Sequence, residues 1–199
     1  MSFRSEPFLW IHLAGLAVLP LFLELTWLGL AIAESLVPVW LELILLAIVG
    51  IVPIAWMQWQ KPFDIFSLLF VALQPQQLTS QQRQILRLFK TRKHRVLTLF
   101  AVLAMGWALW KLAVFAPLAA PAAARLTQSR GLGLGLAIVG FLGSNLFLQV
   151  PISVLGVLLT SNGQFEVTEP LTPEEVSQSV TVLGFRVGNI LPTVASNNL

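Results

Sequence analysis

The chain has 199 residues, 56% of them hydrophobic and only 11% charged, with a mean hydropathy of +0.81. This composition excludes a water-soluble domain with a hydrated surface, and at about 20 apolar residues per crossing it leaves room for four or five spans but no large extramembrane domain. The formal net charge is only +3, so the sequence pI of about 10.0 reflects how few groups ionise and says little about partners, while the lack of cysteine excludes disulfides, thiolate catalysis and thiolate-held metals.

Phe8 to Ala33 (FLWIHLAGLAVLPLFLELTWLGLAIA) carries one imidazole, His12, and one carboxylate, Glu24, and is long enough to cross a bilayer with some tilt. Its end, Ala31-Ile32-Ala33, has the form of a signal-peptide cleavage site, but the apolar stretch exceeds an ordinary signal core and contains Pro20 and Glu24, so it reads as an uncleaved span. A second span, Val37 to Trp59, follows a tight turn at Glu34, Ser35 and Leu36, with Pro38 suited to the first helical turn and Pro53 expected to kink the far part.

Phe63 to Leu73 (FDIFSLLFVAL) is apolar but too short to cross, so it is expected to lie in the interface or re-enter, with Asp64, Ser67 and Gln74 turned to water. Thr79 and Gln82 have capping-box spacing. The helix they start places Ile85, Leu86, Leu88 and Phe89 on one face and Arg83, Arg87 and Lys90 on another. With Arg92, Lys93 and Arg95, this run holds six of the chain's twelve basic residues, and His94 among them is expected to face solvent.

The third span, Val96 to Ala119, is interrupted by Lys111 and expected to end in the loop APLAAPAAAR; the fourth, Gly131 to Thr160, is expected to kink or break near Pro151. From residue 161 the chain turns polar. Thr172-Pro173-Glu174-Glu175 reads as the start of a short helix, a short strand is expected within Val180 to Leu191, and the tail is expected to be ordered by docking. The expected fold is an all-α integral membrane protein: a four-span domain over 1–160 with interfacial and basic helices at 61–95, and a short polar tail over 161–199.

Four spans place both termini on one side. That side carries Arg4, Lys61 and the six basic residues of the run, against Arg125 and Arg130 opposite, which makes it cytoplasmic. The partner expected for Arg83, Arg87, Lys90, Arg92, Lys93 and Arg95 is then the anionic headgroup layer of the cytoplasmic leaflet, with the apolar face of the same helix in the interface, and not nucleic acid.

Ionisable groups at membrane depth are candidate functional residues because burying them unpaired is costly. Glu24 and Glu42 are placed to share a face of the first hairpin, with Lys111 as a possible counter-ion, and Asn145 and Gln149 are able to bond across an interface. His12 is a candidate ligand for magnesium or haem, although a lone histidine near an interfacial tryptophan is more often hydrogen-bonded to backbone or headgroup. The segment GLGLGLA lacks the third glycine of a phosphate loop at Leu136; Gly133, Ala137, Gly140 and Ser144 instead form a packing stripe, expected to meet Ala101, Ala104 and Ala108 of the third span. No nucleophile and base set or paired general acid and base is legible, and no cofactor is expected.

The stretches FRSEPFLWIHLAGLAVLPLFLELTWLGLA, WMQWQKPF, LTSQQRQILRLFK and FLGSNLFLQVPISVLGVLLTS together resemble the cyanobacterial low-complexity tail membrane proteins, over about residues 3–161. The resemblance implies a multi-span protein of a cyanobacterial membrane, thylakoid or plasma, and supplies no catalytic residue; the short, non-repetitive tail here departs from the family's long ones. The function expected is a non-enzymatic accessory, assembly or scaffold role, binding other membrane proteins and anionic lipid. Two alternatives are a small transporter or channel subunit whose polar residues converge on a cavity, and a pigment- or haem-binding subunit.

Overall fold

The computed structural model describes residues 2–35, 37–68 and 70–190. Four helical segments are long and apolar enough to cross a membrane: Pro7–Ala31, Val39–Gln60, Arg92–Ala123 and Arg130–Leu158. The fold is that of an all-α integral membrane protein.

The first span is two helices, α1 (Pro7–Ala14) and α2 (Leu19–Ala31), joined by a 3-10 turn at Gly15–Val18. Pro20 explains the joint. It has no N–H to give to the Leu16 carbonyl, and the Leu19 N–H takes that carbonyl instead, tightening the turn. Helix α3 (Val39–Gln60) runs through Pro53 as one element.

The long helices α5 (Arg92–Ala123) and α6 (Arg130–Leu158) correct two boundaries. The segment expected as the loop APLAAPAAAR is helical as far as Ala123, with Pro117 and Pro121 inside, because its alanines favour helix and Ala116, Ala119 and Ala123 are buried. At the other end Arg92 to Arg95 form the first turn of the span, not the tail of a surface helix. Pro151 leaves α6 unbroken.

Packing in the membrane runs α2 on α6 and α5, and α3 on α6 and α5. The stripe Gly133, Ala137, Gly140 and Ser144 therefore faces α2 and not the alanines of the third span, of which Ala104 is exposed. A Cβ at Gly29 would lie 2.5 Å from the Ala137 nitrogen and 2.6 Å from the Gly133 oxygen, so only glycine allows this approach. Leu30, Leu46, Met105, Leu109, Ala137 and Phe141 fill the membrane core.

A second core lies at the end of the bundle where the chain begins. Phe3, Phe8 and Leu9 meet Ile65, Phe66, Ile85, Leu86, Leu88 and Phe89 there, together with Val154 and Val157 of α6 and Leu171, Val176 and Val180 of the tail. This cap contains strands β1 (Ser67–Leu68) and β2 (Val71–Leu73), helices α4 (Ser80–Leu88), α7 (Asn162–Glu166) and α8 (Pro173–Ser179), and strand β3 (Phe185–Val187). The capping boxes at Thr79 and Thr172 are both closed.

Strands β1 and β2 pair antiparallel, and β3 adds to β2 in parallel with Ala72 opposite Arg186. The apolar segment 63–73 thus becomes a docked hairpin in place of an interfacial or re-entrant stretch, and Asp64 and Ser67, expected in water, are buried. Residue 160 is a boundary in composition only, since 61–90 and the tail share one core; of the expected tail and strand, 191–199 lie outside the described residues.

Candidate functional site

At the far end of the bundle, opposite the cap, Arg130 opens α6 directly beside Glu42 in the first turn of α3. Its Nε donates to Glu42 Oε1 at 3.0 Å and its Nη2 reaches Oε2, while Nη1 donates to the main-chain oxygens of Leu30 at 3.0 Å and Ile32 at 2.8 Å. One guanidinium therefore neutralises the carboxylate and caps the last carbonyls of α2. The pair is only 8% and 4% exposed at its side chains and lies against a cavity of about 660 Å³ lined by Leu30, Ala33, Ala116 and Thr127 among others.

The partner of Glu42 is thus Arg130 and neither Glu24 nor Lys111; α2 and α3 are sequence neighbours, but α2 packs on α5 and α6 instead. Glu24 is exposed on α2, and Lys111 lies over the Trp110 ring at 4.5 Å and the Trp107 ring at 5.7 Å; neither forms an ion pair among the described residues.

Deeper in the bundle the polar groups of α6 bond along their own helix. Ser144 Oγ donates to Gly140 O at 2.9 Å, Asn145 Nδ2 to Phe141 O at 2.8 Å, Gln149 Nε2 to Asn145 Oδ1 at 3.3 Å and Ser153 Oγ to Gln149 O at 2.7 Å. Asn145 and Gln149 are not seen bonding across an interface as expected. Of the five intramembrane polar residues singled out from sequence, only Glu42 lines the far-end cavity.

At the cap end His12 lines an apolar cavity of about 520 Å³ with Ile11, Gly15, Phe63, Phe147 and Leu183. The Nδ1 position is engaged by the Phe8 carbonyl at 2.9 Å, an arrangement that fixes the ring and leaves Nε2 as the atom able to meet a ligand. Among the described residues no three histidine, aspartate or glutamate side chains gather as a metal set.

The basic run is divided by the fold. The apolar face Ile85, Leu86, Leu88 and Phe89 is buried in the cap core and is closed to the lipid interface, because α4 has protein on that side. Arg83 donates to Leu78 O at 2.9 Å, and Arg87 lies 3.8 Å from Glu175 in a half-exposed pair. Lys90, Arg92, Lys93 and Arg95 are exposed where the cap meets the membrane, beside Lys61, and Arg95 lies over Trp59 at 5.8 Å. Partial burial and the neighbouring Arg87 guanidinium lower the Lys90 pKa.

His94, expected in solvent, is buried with Nε2 3.1 Å from the Gln58 carbonyl. Sequence reasoning also missed Arg4, whose guanidinium closes the end of α6 through Leu158 O at 3.0 Å, Thr160 O at 2.6 Å and Asn162 Oδ1 at 2.8 Å. Asp64 was missed as a buried acid. It accepts from the Phe66 N–H at 2.9 Å, and burial pushes its carboxyl up to about 6 from the ordinary 3.8.

Residues 5–192 match the family described as low-complexity tail membrane protein-like. No curated protein matches the chain, and no solved structure does.

Proposed function

The chain belongs to the low-complexity tail membrane protein-like family, and from that premise we propose that it is a non-enzymatic accessory or assembly protein of a cyanobacterial membrane, thylakoid or plasma. The observation that carries this reading is the disposition of its polar groups. Ser144, Asn145, Gln149 and Ser153 bond within α6 and Glu42 is closed by Arg130, so among the described residues these groups are not linked in a chain of hydrogen bonds from cap to far end. The surfaces left over are binding surfaces: apolar span faces and the exposed cations around the cap. Lys61, Lys90, Arg92, Lys93 and Arg95 are exposed near the junction of the cap and the spans, suited to anionic headgroups at about 1 kcal/mol each. With this end cytoplasmic, both termini share that side, as the bias of basic residues favours.

The His12 cavity favours a second reading, a subunit that binds an apolar cofactor such as a pigment or haem through Nε2. One experiment tests both: purification from the native membrane in mild detergent, with mass spectrometry and an absorption spectrum of the eluate. Co-purifying membrane proteins in a colourless eluate support the accessory role; a bound chromophore lost in His12→Ala supports the second; an eluate holding this chain alone and colourless argues against both.

A further inference from the structure

We propose that Glu24 and Lys111 mark a self-association surface, on which a second copy of this chain docks in the membrane plane so that Glu24 of one copy meets Lys111 of the other. Both residues lie within spans, carry opposite charge and form no ion pair among the described residues. Glu24 is exposed and Lys111 half-buried, each among apolar side chains that face outward. Leu21 is exposed beside Glu24, and Trp107, Trp110 and Val114 are exposed around Lys111. An unpaired charge on such a surface is costly in lipid, and its neutralisation by an opposite charge is the contact that recovers most of that cost.

Depth makes the second copy the fitting partner. Copies in one membrane with the same orientation are related by an axis along the membrane normal, so each residue keeps its depth and can pair only with a residue at the same level. Helices α2 and α5 run in the same direction, both antiparallel to α6. Along α2, Thr26 lies against Gly140 of α6 and Phe22 against Gly143, which puts Glu24 level with about residue 142 of α6; Leu97 of α5 lies against Gly156, so Lys111, 14 residues on, comes level with the point 14 residues back along α6, again about residue 142. The two charges therefore lie at about the same depth.

Helices α2 and α5 also pack on each other, so the two charges lie on adjoining elements and a two-fold axis would satisfy both pairs at once. The Trp110 ring, 4.5 Å from Lys111 Nζ, restrains the ammonium and supplies the kind of aromatic anchor that interfaces favour. This inference goes beyond the accessory role and holds or fails whatever other protein the chain meets.

The test co-expresses two differently tagged full-length copies and measures how much of one is recovered with the other from the membrane. Wild-type copies are expected to co-purify. Glu24→Lys with itself, and Lys111→Glu with itself, should co-purify about tenfold less, since each contact then opposes like charges. Glu24→Lys with Lys111→Glu should return to the wild-type level, because every contact again joins opposite charges. Should a single variant fail to accumulate, recovery of both chains on co-expression supports the pairing and lack of recovery overturns it. Wild-type copies that do not co-purify, single variants that co-purify like wild type, or a mixture no better than either alone would each overturn the proposal.

Discussion

Arg130 binds one carboxylate and two main-chain carbonyls, and its loss would strand all three in a buried place. Arg130→Met is expected to destabilise the protein by about 3–5 kcal/mol, while Arg130→Met combined with Glu42→Leu should cost far less, as read by melting in mild detergent. If the double variant is as unstable as the single, the carbonyl caps and not the ion pair dominate. Asp64 gives a dependence on pH. Its folded pKa, about 6, lies above the ordinary 3.8, so the native cap holds a proton that the unfolded chain releases between those values. The stabilisation is full below the lower value and is lost as pH rises through the upper one, a change of about 3 kcal/mol. In Asp64→Asn, which keeps an acceptor for the Phe66 N–H, melting should fall less steeply over that window than in the wild type, with burial of Glu6 supplying the remaining slope; parallel curves would show that Asp64 is not the titrating group.

Between elements, the α2–α6 contact is the closest in the bundle, and glycine sets it. Gly29→Ala places a methyl against the backbone of Ala137 and should cost about 1–3 kcal/mol. Gly106→Ala and Gly135→Ala meet nothing within 4 Å and should be neutral or stabilising by up to about 1 kcal/mol, since alanine is the better helix former. The same melting measurement compares the three, and an equal effect at all three sites would mean that helix propensity outweighs packing here. The docking of β3 on β2 likewise ties the tail to the hairpin: Gln74 N donates to Val187 O at 3.0 Å and Phe185 N to Phe70 O at 2.8 Å. The tail is therefore part of the cap by hydrogen bonding as well as by its apolar residues.

For the whole molecule, the predictions concern orientation. Cysteines introduced into this cysteine-free chain at Ser5 and Ser177 should label from the cytoplasmic side and one at Ser129 from the opposite side; labelling of Ser177→Cys from outside would reverse the topology. Replacing Lys90, Arg92, Lys93 and Arg95 with glutamine removes the exposed cations nearest the third span and should give a mixed orientation in the same assay. A uniform orientation after that change would place the topogenic signal elsewhere, with the folded cap the first alternative.

The four spans, the end that carries the cations, the capping box at Thr79, the helix start at Thr172 and the small-residue stripe were legible in the sequence, because each follows from local periodicity, spacing or composition. Which helix the stripe meets was not. A row of small residues states that something comes close without saying what, and Gly29 of α2 supplied the answer. His94 could have been placed correctly: with Thr98, Ala101, Met105 and Leu109 it completes a helical core face, a stronger signal than its basic neighbours in sequence. The pairing of Glu42 with Arg130, the exposure of Glu24, the burial of Asp64 and the conversion of 63–73 from an interfacial segment to a docked hairpin all needed the tertiary structure. They depend on contacts between segments 88 or more residues apart, as for Arg130 and Glu42, or on strand β3 arriving from the tail to cover an edge that the hairpin alone leaves open. Local sequence determines which segments are helical and apolar; only the packed chain decides which of their polar groups find partners inside it and which are left facing outward.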